Sequence, residues 1–181
     1  MKINQAVILA GGIGKRLEPI TTSTPKPLVK VSGKPFIIHI LNQLKNFYFK
    51  EVVILTGYKS KMFKQIISKY KFHNLKIKII EQPTDYDTGA RLISAKNYLD
   101  ENFMLLYGDN YCGLDLNKII FNFMSSKSLF QLVAYFDWNN FSKANIEIYR
   151  NNKIKIYDKN RRNKNLSYVD IGYTCINKKI I

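Results

Sequence analysis

The sequence predicts an α/β fold built on a mostly parallel sheet with helices on both faces. Three observations point to it. Short apolar runs bounded by turn residues alternate with stretches whose apolar residues recur at helical spacing. The first apolar run, Gln5–Ala10, ends directly in Gly-Gly, as a buried strand entering a turn does. The last third of the chain holds extended segments with no helix between them, which adds a mixed edge to the sheet. No linker, low-complexity tract or repeat divides the 181 residues, so one domain covering residues 1–181 is expected.

The elements follow in order. Gln5–Ala10 is the first buried strand. Phe36, Ile37, Ile40, Leu41 and Leu44 line one helical face behind Pro35, a residue suited to a first turn. Glu51–Thr56 is a second apolar strand, and Met62, Phe63, Ile66, Ile67 and Tyr70 mark a second helix. Lys76–Glu81 is the third strand, residues 88–99 a helix, and residues 103–107 the fourth strand. Residues 116–124 are helical, with Asp115 placed as N-cap. Residues 129–136, 146–149 and 154–157 are extended, and Asn151-Asn152 is a natural turn between the last two. The apolar end, Lys179-Ile180-Ile181, has the pattern of a helix cut short.

The bulk numbers bound the function. Hydrophobic residues make up 46% and charged residues 23%, the balance of a globular rather than a disordered chain. No apolar run is long enough to span a bilayer, and the N-terminus lacks the long apolar stretch of a secretory signal. Two cysteines, Cys112 and Cys175, make no disulfide framework and no CxxC, so reduced thiols and a cytoplasmic location are expected. The net charge of +16 attracts polyanions, either nucleic acid or small phosphorylated substrates. Most of it is Lys scattered through helices and loops. Lys159, Arg161, Arg162 and Lys164 form the one tight basic cluster, which also suits a solvated loop. Nucleic-acid surfaces interleave cations with exposed aromatics, a pattern not seen in the sequence, so no nucleic-acid and no membrane partner is expected.

The segment Gly11-Gly12-Ile13-Gly14-Lys15-Arg16-Leu17-Glu18-Pro19, continuing to Pro25-Lys26-Pro27-Leu28-Val29, carries the chemistry. It follows the first strand, where open α/β sheets bind ligands. Glycines allow close backbone approach to phosphates, and Lys15, Arg16 and Lys26 add cations. It is neither a Walker A loop nor a dinucleotide fingerprint, because Leu17 stands where the last Gly is needed. Alone, such a loop also fits a tight structural turn. Prolines 19, 25 and 27 stiffen an extended loop around Lys26, which a core does not need.

This stretch resembles the sugar-phosphate nucleotidyltransferase family, whose pattern GGxGxRLxPxTxxxPKPLvxvxgkP is met at every fixed position through Gly33-Lys34-Pro35. The resemblance implies a Rossmann-like three-layer sandwich and Mg²⁺-dependent nucleotidyl transfer. It implies nucleotide contacts from Gly11, Gly12, Gly14, Lys15 and Arg16, with Arg16 on the β- and γ-phosphates and Lys26 on the α-phosphate and sugar phosphate. Gln82 matches the family's base-reading Gln and Gly89 the Gly against which the base lies, although a polar strand end also explains Gln82. Gly108-Asp109 matches the family's GD motif, which makes Asp109 the Mg²⁺ ligand; a turn cap is the plainer alternative. Asp158-Lys159 stands where the family has Glu-Lys-Pro at the sugar phosphate, without the Pro. Ala144 replaces a frequent Gly. Tyr168, Asp170 and Gly172 match a segment that lines the sugar site.

One departure concerns the metal. The family's second carboxylate lies in a W-x-D-x-G-T-like segment, and the chain stops at Ile181 before any such segment. A truncated C-terminus is expected, or a role for Asp170. The expected reaction is in-line attack of a sugar-phosphate oxygen on the NTP α-phosphorus by positioning and charge neutralisation, with Arg16, Lys26 and Asp109 as the catalytic set. Residues 88–92 and 105–110 resemble branches that handle CTP, with GTP or UTP as alternatives. The partner sugar is a hexose or heptose 1-phosphate for cell-surface glycans. A homo-oligomer is left open. The rival reading is a catalytically impaired domain that binds nucleotide sugars without the second carboxylate.

Overall fold

The computed structural model describes residues 2–139, 141–163 and 165–181. Lys164 of the basic cluster lies outside them. The chain runs β1 (Gln5–Ala10), α1 (Ile20–Ser23), β2 (Lys30–Val31), β3 (Lys34–Pro35), α2 (Phe36–Asn46), β4 (Glu51–Thr56), α3 (Ser60–Ile67), β5 (Lys76–Glu81), α4 (Thr88–Ser94), β6 (Asn102–Tyr107), α5 (Leu116–Ser126), β7 (Phe130–Phe136), β8 (Ile146–Ile148), β9 (Ile154–Tyr157) and β10 (Tyr168–Asn177). Strands β5, β4, β1 and β6 are parallel neighbours in that order, with Ile8 facing Ile54 on one side and Leu106 on the other. β10 then runs antiparallel to β6 and carries β7 along its other edge. The β8–β9 hairpin continues from the start of β10 through the pair Tyr168–Ile146.

The parallel strands are apolar on both faces because both faces are covered. Ala6, Ile8, Val52, Ile54, Met104 and Leu106 pack under α2, α3 and α5 in one cluster with Ile37, Leu41, Phe63 and Phe123. Val7, Val53, Leu55, Phe103 and Leu105 pack on the opposite face against Leu92 of α4, Ala95 and Leu99. This is the three-layer arrangement expected from the sequence. Burying these side chains is worth roughly 1.5–3 kcal/mol each before entropy is counted.

Local chemistry fixes the ends of the helices. α2 closes with Tyr48 at φ 62, its N–H on Lys45 O and the Phe49 N–H on Leu44 O at 3.2 Å, the paired bonds of a Schellman cap. Asp115 caps α5 by accepting from the N–H groups of Asn117 and Lys118. Three boundaries differ from the sequence reading. The expected 88–99 helix breaks at Ala95 into α4 and a 3-10 turn over Lys96–Tyr98. Residues 168–177 form the longest strand of the sheet, β10. The apolar end is a 3-10 turn, Lys178–Ile180, capped by the Asn177 side chain on the Lys179 N–H, rather than the start of a helix.

Candidate active site

The carboxyl ends of β1, β4, β5 and β6 all open on one side, and a cleft of about 480 Å³ lies across them. That size suits a small-molecule ligand. Its walls bring together Gly11, Gly12, Gly14, Lys15, Arg16, Lys26, Asp109 and Lys159. Arg16 and Asp109, more than ninety residues apart, therefore face one space.

The loop's shape follows from its sequence. Gly14 takes φ 77, and a side chain there would press on Thr21 and Lys26 Cβ at 3.1–3.2 Å. Its carbonyl accepts from the Leu17 N–H and the Thr21 hydroxyl, closing the turn that carries Lys15 and Arg16. Gly12 has open space where a Cβ would stand. The 3-10 turn Lys26–Leu28 follows Pro25 and buries Pro27 and Leu28, which leaves Lys26 directed to the cleft. Gly108 fits where a Cβ would lie 3.0 Å from Leu9 O and 3.1 Å from Pro27, and its N–H donates to Leu9 O. That contact places Asp109 beside the end of β1. Lys26 Nζ and Asp109 Oδ2 meet at 2.6 Å, with about a third of each side chain exposed. A pair at this exposure is worth about 0.2–1 kcal/mol, so a ligand can separate it at small cost.

The segment from which base contacts are expected is organised around Arg91. Gln82 is 5% exposed. Its amide donates to Arg91 O at 2.8 Å, and its carbonyl oxygen accepts from Arg91 Nη1 at 3.4 Å. The carboxamide is thus bonded to Arg91, and Gln82 itself does not line the cleft. Gly89 lies in the first turn of α4, beside the Asp87 carboxylate that caps Ala90 N–H. The cleft wall here consists of Thr84, Tyr86, Asp87, Thr88 and Arg91. Arg91 was missed by the sequence reading. The available signal was its place on one helical face with Leu92 and Ala95, the buried face of that helix.

On the sugar side, Lys159 lines the cleft and Asp158 does not. The Asp158 carboxylate accepts from the N–H groups of Asn163, Arg162 and Asn160 at 2.7–3.0 Å. These bonds, Asn163 first, hold its pKa below the ordinary value. Its role in the structure is to shape the loop that presents Lys159. Asp170 accepts from Tyr157 hydroxyl at 2.9 Å and from Gly172 N–H at 2.8 Å. Burial, then the Asp170 charge, raises the Tyr157 pKa, so the phenol stays protonated and donates. Tyr107, a cleft residue, is raised by burial and by the charges of Asp170 and Asp109 together. Gly172, at φ 76, leaves room for the Tyr107 ring and the Asn110 amide.

Among the described residues no group of three or more His, Cys, Asp or Glu side chains is placed to hold a metal ion. None of their helices is long and apolar enough to cross a membrane.

Residues 5–144 match the sequence model of the family described as Nucleotidyl transferase. Bifunctional protein GlmU of Methanococcus maripaludis strain C7 is 38% identical over 104 residues, which are 58% of this chain and 24% of that protein. D-glycero-alpha-D-manno-heptose 1-phosphate guanylyltransferase of Campylobacter jejuni is 31% identical over 143 residues, 79% of this chain and 63% of that protein. The chain thus spans less than two thirds of the length of either relative. HddC from Yersinia pseudotuberculosis, solved in complex with GMP-PN, superposes with a TM-score of 0.82 at 27% identity, covering 99% of this chain and 79% of that one.

Proposed function

The chain belongs to the nucleotidyl transferase family, and on that ground we propose that it transfers a nucleoside monophosphate from an NTP to a sugar 1-phosphate and releases pyrophosphate. The observation that carries this reading is the convergence of Arg16, Lys26, Asp109 and Lys159 on one cleft beside a glycine-rich loop. The 181 residues act as one nucleotidyltransferase domain in this proposal.

The cofactor proposed is Mg²⁺. One Asp109 oxygen is held by Lys26 and the other accepts from no group among the described residues. Mg²⁺ commonly takes one or two carboxylates and completes its shell with water and substrate phosphates, so a single carboxylate facing a phosphate cleft fits it. When bound, Mg²⁺ would neutralise phosphate charge and polarise the α-phosphoryl group. The chain's own residues do the rest. Backbone N–H groups of residues 11–14 and the Arg16 guanidinium receive the triphosphate, and Arg16 holds pyrophosphate as it departs. Lys26 leaves Asp109 for the α-phosphate and, with Lys159, holds the attacking phosphate oxygen in line. No covalent intermediate is required. A hexose or heptose ring would lie on the side lined by Tyr107 and Lys159, where the charge of the Tyr157-bonded Asp170 reaches Tyr107.

CTP is the nucleotide of this proposal, on the resemblance of residues 88–92 and 105–110 to CTP-handling branches. GTP is the rival, supported by the guanylyltransferase relative and by the GMP-PN complex of HddC. Incubation with Mg²⁺ and each NTP against a panel of hexose and heptose 1-phosphates, read as pyrophosphate release, tests the reading. Turnover with one NTP and a loss on the order of 10²–10³ in Arg16→Ala is expected, the scale of one preorganised charge contact. Normal turnover in Arg16→Ala would refute the role of that residue. NTP binding without pyrophosphate release would favour a binding domain instead.

A further inference from the structure

Among the described residues, Arg91 is the single buried basic side chain. It is 5% exposed, and every hydrogen-bond acceptor on its guanidinium is a neutral oxygen, with the Asp85 carboxylate acting only at longer range. Nη1 donates to Thr56 O at 3.2 Å and to Gln82 Oε1 at 3.4 Å. Nη2 faces Pro83 O at 3.1 Å, Thr84 O at 3.3 Å and Gly11 O at 3.4 Å. These oxygens belong to the carboxyl ends of β4, β5 and β1. Burying a cation is costly: burial lowers the Arg91 pKa from its ordinary value, outweighing the more distant Asp85 charge, and the carbonyl dipoles offset part of the cost. The guanidinium also fills the space beside two glycines. A Cβ on Gly11 would fall 2.2 Å from Arg91 Cζ, and one on Gly57 would fall 3.0 Å from Nη2.

We propose that Arg91 is a positioning residue for the nucleotide: by tying Gly11 to Thr56 and to residues 82–84, it fixes the glycine-rich loop and the opposite cleft wall at the spacing that receives an NTP. The inference rests on the nucleotidyl-transfer reading of the same cleft. Arg91 acts through the backbone it holds, and it leaves a positive charge under the loop that a polyphosphate would compensate. A lysine cannot replace it, because one ammonium has three donors and lacks the planar fork that reaches three strand ends.

The test is calorimetric titration of the whole chain with Mg²⁺ and CTP, GTP or UTP, comparing wild type, Arg91→Lys and Arg91→Ala. For whichever NTP binds wild type, both variants should lose tenfold or more in affinity. Guanidinium ion at about 10 mM should restore part of it in Arg91→Ala alone, since only that variant leaves the fork's space empty. Unchanged affinity in Arg91→Lys overturns the inference and leaves the function standing. If folded wild type binds none of the three, the nucleotidyl-transfer reading fails first and takes this one with it. Thermal melts of Gly11→Ala, alone and combined with Arg91→Ala, give a second readout that needs no ligand and covers poor folding of a single variant. Gly11→Ala should lower the melting temperature by about 3 °C or more in wild type and by much less once Arg91 is gone. Equal losses in both backgrounds would show that Arg91 is not fixed there.

Discussion

Lys26 and Asp109 hold each other at 2.6 Å, and the proposed reaction must part them. Both residues were legible in the sequence, because the pattern around them is a spacing of fixed types that needs no knowledge of side-chain direction. Gln82 was not legible in the same way. Its position at a strand end was clear, but whether its amide faces the cleft or the floor depends on a partner, Arg91, whose helix had first to be placed. Asp158 shows the same limit: its neighbour Lys159 lines the cleft, while its own carboxylate is taken by three N–H groups of the following loop. At this scale Gly172 offers a sharp test. A Cβ there would stand 2.4 Å from Tyr107 Cδ2 and 2.6 Å from Asn110 Nδ2, at φ 76. Gly172→Ala is expected to destabilise the fold by about 2 kcal/mol or more, from left-handed backbone strain plus overpacking. Urea denaturation checks it, and an unshifted midpoint would contradict the contact.

Among the elements, the parallel strands and α2 were legible because each is long and strongly periodic. β10 was not, because Asp170, Gly172, Thr174 and Asn177 interrupt any apolar pattern. What makes that segment a strand is its tertiary place between β6 and β7. Of the polar residues that hid it, Asp170 accepts from the Tyr157 hydroxyl. The loop after β9 is set by Asp158, and its stability should follow pH. Its native pKa is depressed below the ordinary 3.8, first by the Asn163 N–H. A depressed carboxylate stabilises fully above its unfolded pKa and loses that contribution as pH falls through its folded one. Exchange of the Arg162 and Asn163 amides is therefore expected to be protected at pH 5 and to lose protection, beyond the intrinsic pH trend, only as the pH falls below the ordinary carboxylate range. The same residues in Asp158→Asn should show no such step. Protection that is flat with pH in the parent chain would count against the loop account.

For the molecule as a whole, topology converts a sequence motif into a site. β1 lies between β4 and β6, so the loop after β1 and the Asp after β6 end side by side although 83 residues separate Lys26 from Asp109. The alternation of strands and helices made this neighbourhood predictable, since parallel strands all end on one side. The placement of β10, and the grouping of Tyr107, Tyr157 and Asp170 beside it, required the folded chain. The central claim is that this cleft binds a magnesium-bound triphosphate, and a thermal melt measures it most directly. A ligand at about 100 times its Kd adds about 2.7 kcal/mol to folding, or roughly 5–10 °C at this chain length. Wild type with Mg²⁺ and CTP or GTP should rise by that order, and Asp109→Asn should rise far less. No rise with CTP, GTP or UTP, or an equal rise in wild type and Asp109→Asn, would contradict the account.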